Sequence, residues 1–394
     1  MTINSLVIAF GGVSPEHEVS VITAHQAIAA LEDTGITVYP LYITKSGKWL
    51  TGDVLLDLQQ FSDLYQLESK AIPCTISRNA DGFPILLDTR QQFLKKPATW
   101  PIAFMLLAFH GSDGENGSFQ GLCNLFNVPF SGSGVLGSAI GMDKVVAKKL
   151  AKLAGIPVVD WVDFREKEWI SNKSALLEHV KTLHYPVIVK PTHLGSSIGI
   201  SKVANEKELE WAIESVFRFD DQVLIEKAID PLLEINCSVM GDGIENQTSV
   251  CEQPKAKGQT LSYEDKYLSE STGSKGMASA DRIIPAPISE SLSSEIRAMA
   301  STLFSTLQAK GLVRIDFLID AASNQIYFNE INSIPGSFSF YLWQHSKLQF
   351  PDLLQKLIEL GMKEYRIKNS RVRSYETNLL SKKAMTGLKG LKTS

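Results

Sequence analysis

Two short segments carry side chains able to hold a divalent cation: Val313-Arg314-Ile315-Asp316-Phe317-Leu318-Ile319 and Ile326-Tyr327-Phe328-Asn329-Glu330-Ile331-Asn332. Each alternates with period two, the pattern of a β-strand. The turn-like stretch 320–325 between them suggests a hairpin. Side chains two apart share a strand face, so Arg314 points with Asp316 and Glu330 with Asn332. A hairpin closed about its middle sets Asp316 opposite Glu330. Packed carboxylates repel each other, and a divalent cation relieves that cost. Oxygen-only donors on a rigid sheet suit magnesium, with phosphates and waters completing the shell. The competing reading is a solvated hairpin face laced with cross-strand charge pairs.

A second set of groups could meet phosphate. Ile188-Val189-Lys190 reads as a strand running into Pro191-Thr192-His193-Leu194-Gly195-Ser196-Ser197-Ile198-Gly199. Backbone N–H groups in such a loop can approach phosphate closely, and a lysine adds a point charge. The lysine precedes the glycines, so this is not a P-loop; a Gly/Ser surface turn fits the composition equally well. Lys144 lies near the start of a lysine-rich amphipathic helix expected over 142–154, ending at Gly155 with Pro157 beyond. It is either a ligand-binding or a solvated lysine. The polar stretch Leu261-Ser-Tyr-Glu-Asp-Lys-Tyr-Leu268 is compatible with a lid or with an ordinary surface loop.

Positioning these groups takes more than one core. A chain of 394 residues predicts two or three domains. Its first third reads as α/β. Strands expected at 6–10, 37–43 and 102–109 are apolar enough to be buried on both faces, as in a parallel sheet. Ligands of such sheets bind past the carboxyl ends of the strands, where Gly11-Gly12 and His110-Gly111 fall. Ser14-Pro15-Glu16 reads as an N-cap, a proline in the first turn and an acid near the helix dipole. Further on, Asn205 and Glu208 form a capping box, 223–226 is a strand, and a helix spans 289–310. We expect units at 1–133, 134–226 and 227–364, followed by a flexible basic tail at 365–394. That tail carries eight Lys/Arg against Glu376 alone.

Composition excludes several function classes. A net charge of −4 argues against general nucleic-acid binding. Cys74, Cys123, Cys237 and Cys251 show no ligand-like spacing and read as thiols of a reducing compartment. The longest apolar stretch, 101–109, is half a membrane span, and no basic residues precede the apolar run near the N-terminus. A cytoplasmic protein with no membrane partner is expected.

The order of these pieces resembles the D-alanine–D-alanine ligase family of the ATP-grasp superfamily, from about residue 6 to residue 359. The resemblance is carried by Gly11-Gly-Val-Ser-Pro-Glu-His-Glu-Val-Ser20, His110-Gly-Ser-Asp-Gly-Glu-Asn-Gly-Ser-Phe-Gln-Gly121, Ser131-Gly-Ser-Gly134 and Met142-Asp-Lys144. It continues through Val187-Ile-Val-Lys-Pro191 with Gly195-Ser-Ser197, then Glu226-Lys227, Glu264-Asp-Lys-Tyr267, Arg314-Ile-Asp316 and Asn329-Glu-Ile-Asn-Ser-Ile-Pro-Gly336.

The resemblance implies a three-domain architecture. An N-terminal Rossmann-like substrate domain precedes two ATP-grasp subdomains, the second bearing the magnesium site and lid. It implies a ligase for cell-wall peptidoglycan precursors, often dimeric. ATP phosphorylates one D-alanine, and a second D-alanine attacks the acyl phosphate. Asp316, Glu330 and Asn332 are then the ligands of two Mg2+ or Mn2+ ions. Lys144 and Lys190 hold ATP phosphates; Glu226, Lys227 and Ile229 line the adenine, and Glu234 the ribose. Arg314 and the Gly336 N–H form an oxyanion site. Glu18 holds the first ammonium and closes the lid with Ser196 and Tyr267. His110, Lys266, Tyr341 and Leu342 face the second substrate, although His110 can equally be a satisfied strand-end histidine.

Some features depart from the family pattern. The spacing from Glu226 to Glu234 is one residue longer, the segment 268–280 is long, and Tyr341 stands where a serine is common. Two alternatives to D-alanyl-D-alanine synthesis stay open: the same mechanism with another D-amino acid or D-hydroxy acid acceptor, and a non-catalytic nucleotide-binding protein.

Overall fold

A computed structural model describes residues 3–91, 95–255, 282–374, 377, 378 and 380. Three sheets organise them. The first contains β1 (Ser5–Gly11), β2 (Thr37–Ile43), β3 (Trp49–Thr51), β4 (Ile72–Arg78), β5 (Pro84–Asp88), β6 (Thr99–Pro101) and β7 (Met105–Leu107), in the order β6-β5-β4-β3-β2-β1-β7. As the apolar runs predict, β2, β1 and β7 are parallel, with β1 central and almost wholly buried. The strand expected at 102–109 shortens to three residues. The antiparallel extension β3 to β6 was not foreseen. Its strands are short or half-polar, and they pair through contacts that no local pattern announces. Helix His17–Leu31 lays Ala24, Ala27, Ile28 and Leu31 into the core of this sheet.

The second sheet is antiparallel, in the order β10-β9-β11-β8, from β8 (Trp161–Arg165), β9 (Val187–Pro191), β10 (Ser201–Val203) and β11 (Gln222–Lys227). Helices Glu166–Lys181 and Glu206–Val216 bury one face. The expected cap is present: Asn205 accepts from the Glu208 N–H at 3.1 Å.

The third sheet, also antiparallel, runs β14-β13-β12-β15-β16, with β12 (Leu232–Gly241), β13 (Asn246–Pro254), β14 (Arg282–Ile283), β15 (Gly311–Asp320) and β16 (Gln325–Asn332). Asp316 pairs with Glu330 and Arg314 with Asn332, as the hairpin predicts. The register then slips, because Phe317 pairs with Phe328 and leaves Asn329 as a bulge. The bulge lets Phe328 and Ile331, three apart, both face the core. Glu330 and Asn332 thereby take the opposite face.

Two further helices bear on the frame. The helix expected over 142–154 is broken at Asp143, which leaves helical φ/ψ and caps Lys144–Leu153 by accepting from Val146 N at 2.9 Å. Helix Phe350–Asn369 returns to the first sheet and buries Leu353, Leu354, Leu357 and Ile358 in that core. The basic segment expected to be flexible begins inside this helix. Lys368 and Arg373 hydrogen-bond Asn124 and Asn127 of the first unit.

Candidate active site

β16 meets three lysines in a row. Lys148 Nζ lies 3.5 Å from the Phe328 carbonyl, Lys190 Nζ donates to Asn329 Oδ1 at 3.0 Å, and Lys144 Nζ pairs with Glu330 at 3.3 Å. All three lysines are buried. Lys144 also donates to the Leu194 carbonyl of the 190–199 loop. Beneath them Glu226, at the end of β11, receives Lys148 at 2.5 Å and Lys190 at 2.6 Å. Burial alone would raise its pKa, but the two ammonium groups more than offset this and hold it down at about 2. Lys190 and Glu226 therefore enter as a fixed ion pair, with Lys227, Ile229 and Glu234 following along the chain into β12.

Lys148 escaped the sequence reading, because nothing separates it from its solvated neighbours except its place on the helix. It is 0 % exposed and faces Glu226. Replacing Lys148 by methionine keeps the volume but leaves Glu226 with one partner. Breaking a buried pair typically costs about 3–5 kcal/mol, so Lys148→Met is expected to lower the melting temperature by several degrees or more. An unchanged melting curve would show that this pair contributes nothing to stability.

Opposite the lysines, the N-terminal unit supplies a second acidic group, and here the sequence reading needs correction. Glu18 does not reach the cleft: its side chain is 58 % exposed and binds Lys45. Glu16 is the residue that does. It is buried and accepts a hydrogen bond from Ser196. Residues two apart at a helix start point about 200° away from each other, so only one of the two can face inward. Glu16 is seated by glycines. A Cβ on Gly111 would lie 2.6 Å from its Oε2, and one on Gly195 would lie 3.1 Å away.

Glu115 was also missed, although it lies in the glycine-rich motif after His110. Its carboxylate accepts from Gly111 N at 2.7 Å and from Ile334 N at 2.9 Å, joining two units. Burial and the nearby Glu16 push its pKa up to about 8. His110 is buried just beyond the end of β7, with Nε2 2.8 Å from Thr23 Oγ1. Burial pushes its pKa down to about 3, so the ring is neutral at physiological pH.

Arg314 is buried and grips both Asp316 oxygens at 2.7 Å, while Asn332 Nδ2 donates to Asp316 Oδ2 at 3.2 Å. Thus two carboxylates and an amide do converge on one face of the hairpin. Their charges are met by Arg314 and Lys144. The donors are all oxygen and the face borders the lysine row, so these residues fit magnesium. Gly336 opens a turn in which Ser337, Phe338 and Ser339 all have positive φ, and the Ser337 N–H is fixed by Thr23 at 3.0 Å.

One cleft is lined by Glu16, His110, Glu115, Lys144, Ser196, Arg314, Glu330, Asn332 and Gly336. Tyr341 and Leu342 do not line it. They are buried behind the turn with Val250 and Ile284. The Arg282 guanidinium lies 3.9 Å above the Tyr341 ring and pairs with Glu252 at 2.7 Å. Lys266 and Tyr267 fall outside the described residues.

Two antiparallel sheets closing on a lysine-lined seam, beside a domain built on parallel strands, define the ATP-grasp ligase class. Comparison with known proteins narrows this. Residues 5–133 match the family model for the D-ala D-ala ligase N-terminus, and residues 150–359 match that for its C-terminus. The chain belongs to the D-alanine–D-alanine ligase family. It is 42% identical over 376 residues to the D-alanine–D-alanine ligase of Thermosipho africanus, covering 95% of this chain and 97% of that one. It is 37% identical to that of Chloroherpeton thalassium, covering 93% and 98%. Among solved structures, the D-alanine–D-alanine ligase of Coxiella burnetii superposes with a TM-score of 0.77 at 26% identity, covering 98% and 99%. The VanG D-Ala:D-Ser ligase of Enterococcus faecalis gives 0.75 at 29% identity, covering 91% and 100%. Among the described residues no helix is long and apolar enough to cross a membrane.

Proposed function

We propose that this chain joins two D-alanines through an acyl phosphate, releasing ADP and phosphate, to supply a peptidoglycan precursor. The observation that carries the reading is the single cleft in which Glu16 and Ser196 face Lys144, Arg314, Glu330 and Asn332. ATP lies along the seam, its phosphates against Lys144 and Lys190. Glu16 receives the ammonium of the first D-alanine and aims its carboxylate at the terminal phosphate. An oxygen of that carboxylate bonds to phosphorus as the bond to ADP breaks. The amine of the second D-alanine, having lost a proton, then attacks the acyl carbon, and the tetrahedral intermediate collapses as the carbon–oxygen bond to phosphate breaks, phosphate leaves and the new amide nitrogen gives up a further proton. Arg314 and the Gly336 N–H meet the negative charge that develops on oxygen. Asp316, Glu330 and Asn332 would hold magnesium, which would neutralise charge on the phosphates. Excluding water protects the acyl phosphate from hydrolysis. Lys266 and Tyr267, in the 261–268 stretch, belong to this closure in our reading, and a cytoplasmic location accompanies it, as does the dimer that is frequent in the family.

One observation favours a second acceptor. Tyr341, which stands where family members commonly have a serine, lies in a buried cluster with Arg282 and Glu252 behind the Gly336 turn. The alternatives to test are therefore other D-amino acids and D-hydroxy acids. The experiment is a competition of D-alanine, D-serine, larger D-amino acids and D-lactate, with ATP and magnesium, read by mass spectrometry at neutral pH. D-alanyl-D-alanine is the expected main product. A different D-amino acid in second place keeps the mechanism and changes the acceptor. A depsipeptide with D-lactate overturns the amine acceptor, and the absence of any condensation product formed together with ADP overturns the ligase reading.

A further inference from the structure

His193 sits in the loop between β9 and β10, outside the cleft, yet it is tied to two other elements. Its backbone N–H donates to Asp220 Oδ2 at 2.7 Å, and its Nδ1 lies 2.9 Å from Asp220 Oδ1. Its Nε2 lies 3.5 Å from Asp143 Oδ2. Asp220 sits just before β11 and also accepts from the Gln222 N–H at 3.2 Å. Asp143 caps the helix that begins with Lys144. One ring therefore spans the loop after Lys190, the root of the strand bearing Glu226, and the helix start bearing Lys144. The contact is reinforced by Lys144 N donating to the Thr192 carbonyl at 3.3 Å and by Lys144 Nζ on the Leu194 carbonyl.

We propose that His193 is a positioning residue for nucleotide binding, a cationic clamp that holds the 190–199 loop against the helix start carrying Lys144. The inference rests on the reading of Lys144 and Lys190 as phosphate ligands. The charged groups facing the ring are Asp143 from the helix and Asp220 and Asp221 from the turn before β11. Asp221 is itself paired with Arg165 of β8 at 2.7 Å. Both ring nitrogens face carboxylates, Nδ1 that of Asp220 and Nε2 that of Asp143, so a protonated ring bridges the two.

The hydrogen bonds to Asp143 and Asp220 pull the His193 pKa up to about 9, so the clamp is charged across the neutral range. A raised folded-state pKa gives stabilisation that is complete below the value of about 6.5 for an unpaired histidine and is lost as pH rises through about 9.

The test compares full-length wild type, His193→Gln and His193→Arg. KM for ATP and kcat are measured between pH of about 6.5 and 9.5, with melting temperatures as a fold check. Losing a charge-assisted contact of about 1.4 kcal/mol corresponds to a tenfold change. His193→Gln is thus expected to raise KM for ATP about 10-fold at neutral pH, with kcat within about twofold. Wild type should show the same rise as pH passes about 9, and His193→Gln should not. His193→Arg, cationic throughout, should keep a low KM and lose the alkaline rise. A wild-type KM in folded His193→Gln, or an alkaline rise that persists in both variants, overturns the clamp. Absence of any ATP turnover in wild type instead overturns the reading on which it rests.

Discussion

Glu330→Gln is expected to lower ADP formation at least about 100-fold, the scale of losing one preorganised electrostatic group. The substitution hardly changes volume. It removes one of the two negative charges on the hairpin face, where Glu330 opposes Asp316 and pairs with Lys144 at 3.3 Å. Lys144 and Arg314 then face Asp316 alone, and the face becomes a poorer host for a divalent cation. Because Glu330 is partly exposed, with 20% of its side chain accessible, the fold should survive. The measurement is ADP release against magnesium concentration, with a melting curve to establish folding. Excess magnesium should recover part of the rate. Near-normal turnover at ordinary magnesium in a folded variant would sink the assignment of Glu330 as a metal ligand.

Glu16→Gln is expected to cost about 100- to 1,000-fold in kcat/KM for the first substrate, while Glu18→Gln stays within about twofold. Truncating one partner of a buried charge pair costs about 2–5 kcal/mol, whereas an exposed salt bridge contributes about 0–1 kcal/mol. Glu16 is buried in the cleft against Ser196, and Glu18 is a surface partner of Lys45. The paired variants ask which of two acids in one motif meets the substrate. The reverse ranking would restore Glu18 to that role.

Much of the carboxylate-bearing face of the hairpin could be read from alternation alone. Arg314, Asp316, Glu330 and Asn332 came from strand periodicity, and the pairing of Asp316 with Glu330 is the one the hairpin demands. The bulge at Asn329 was also written in the sequence. The apolar alternation of Ile326 and Phe328 skips Glu330 and resumes at Ile331, one position late. A simple hairpin reading passes over that shift. The Asn205 cap was similarly local: its short polar side chain reaches a free N–H group at the helix start. The choice between Glu16 and Glu18 was not local. Both lie at a helix start, and only the glycines at 111 and 195, far along the chain, leave room for Glu16.

The sequence by itself therefore determined the apolar parallel strands, the Asn205 cap, the polar face of the hairpin and the family, because each depends on residues a few positions apart or on motifs in a fixed order. Tertiary structure decided which of several helix lysines is buried as Lys148, which acid faces Ser196, how Glu115 joins two units, and where His193 finds its two carboxylates. Those outcomes depend on desolvation and on partners distant in the chain, and neither is visible until the sheets pack together.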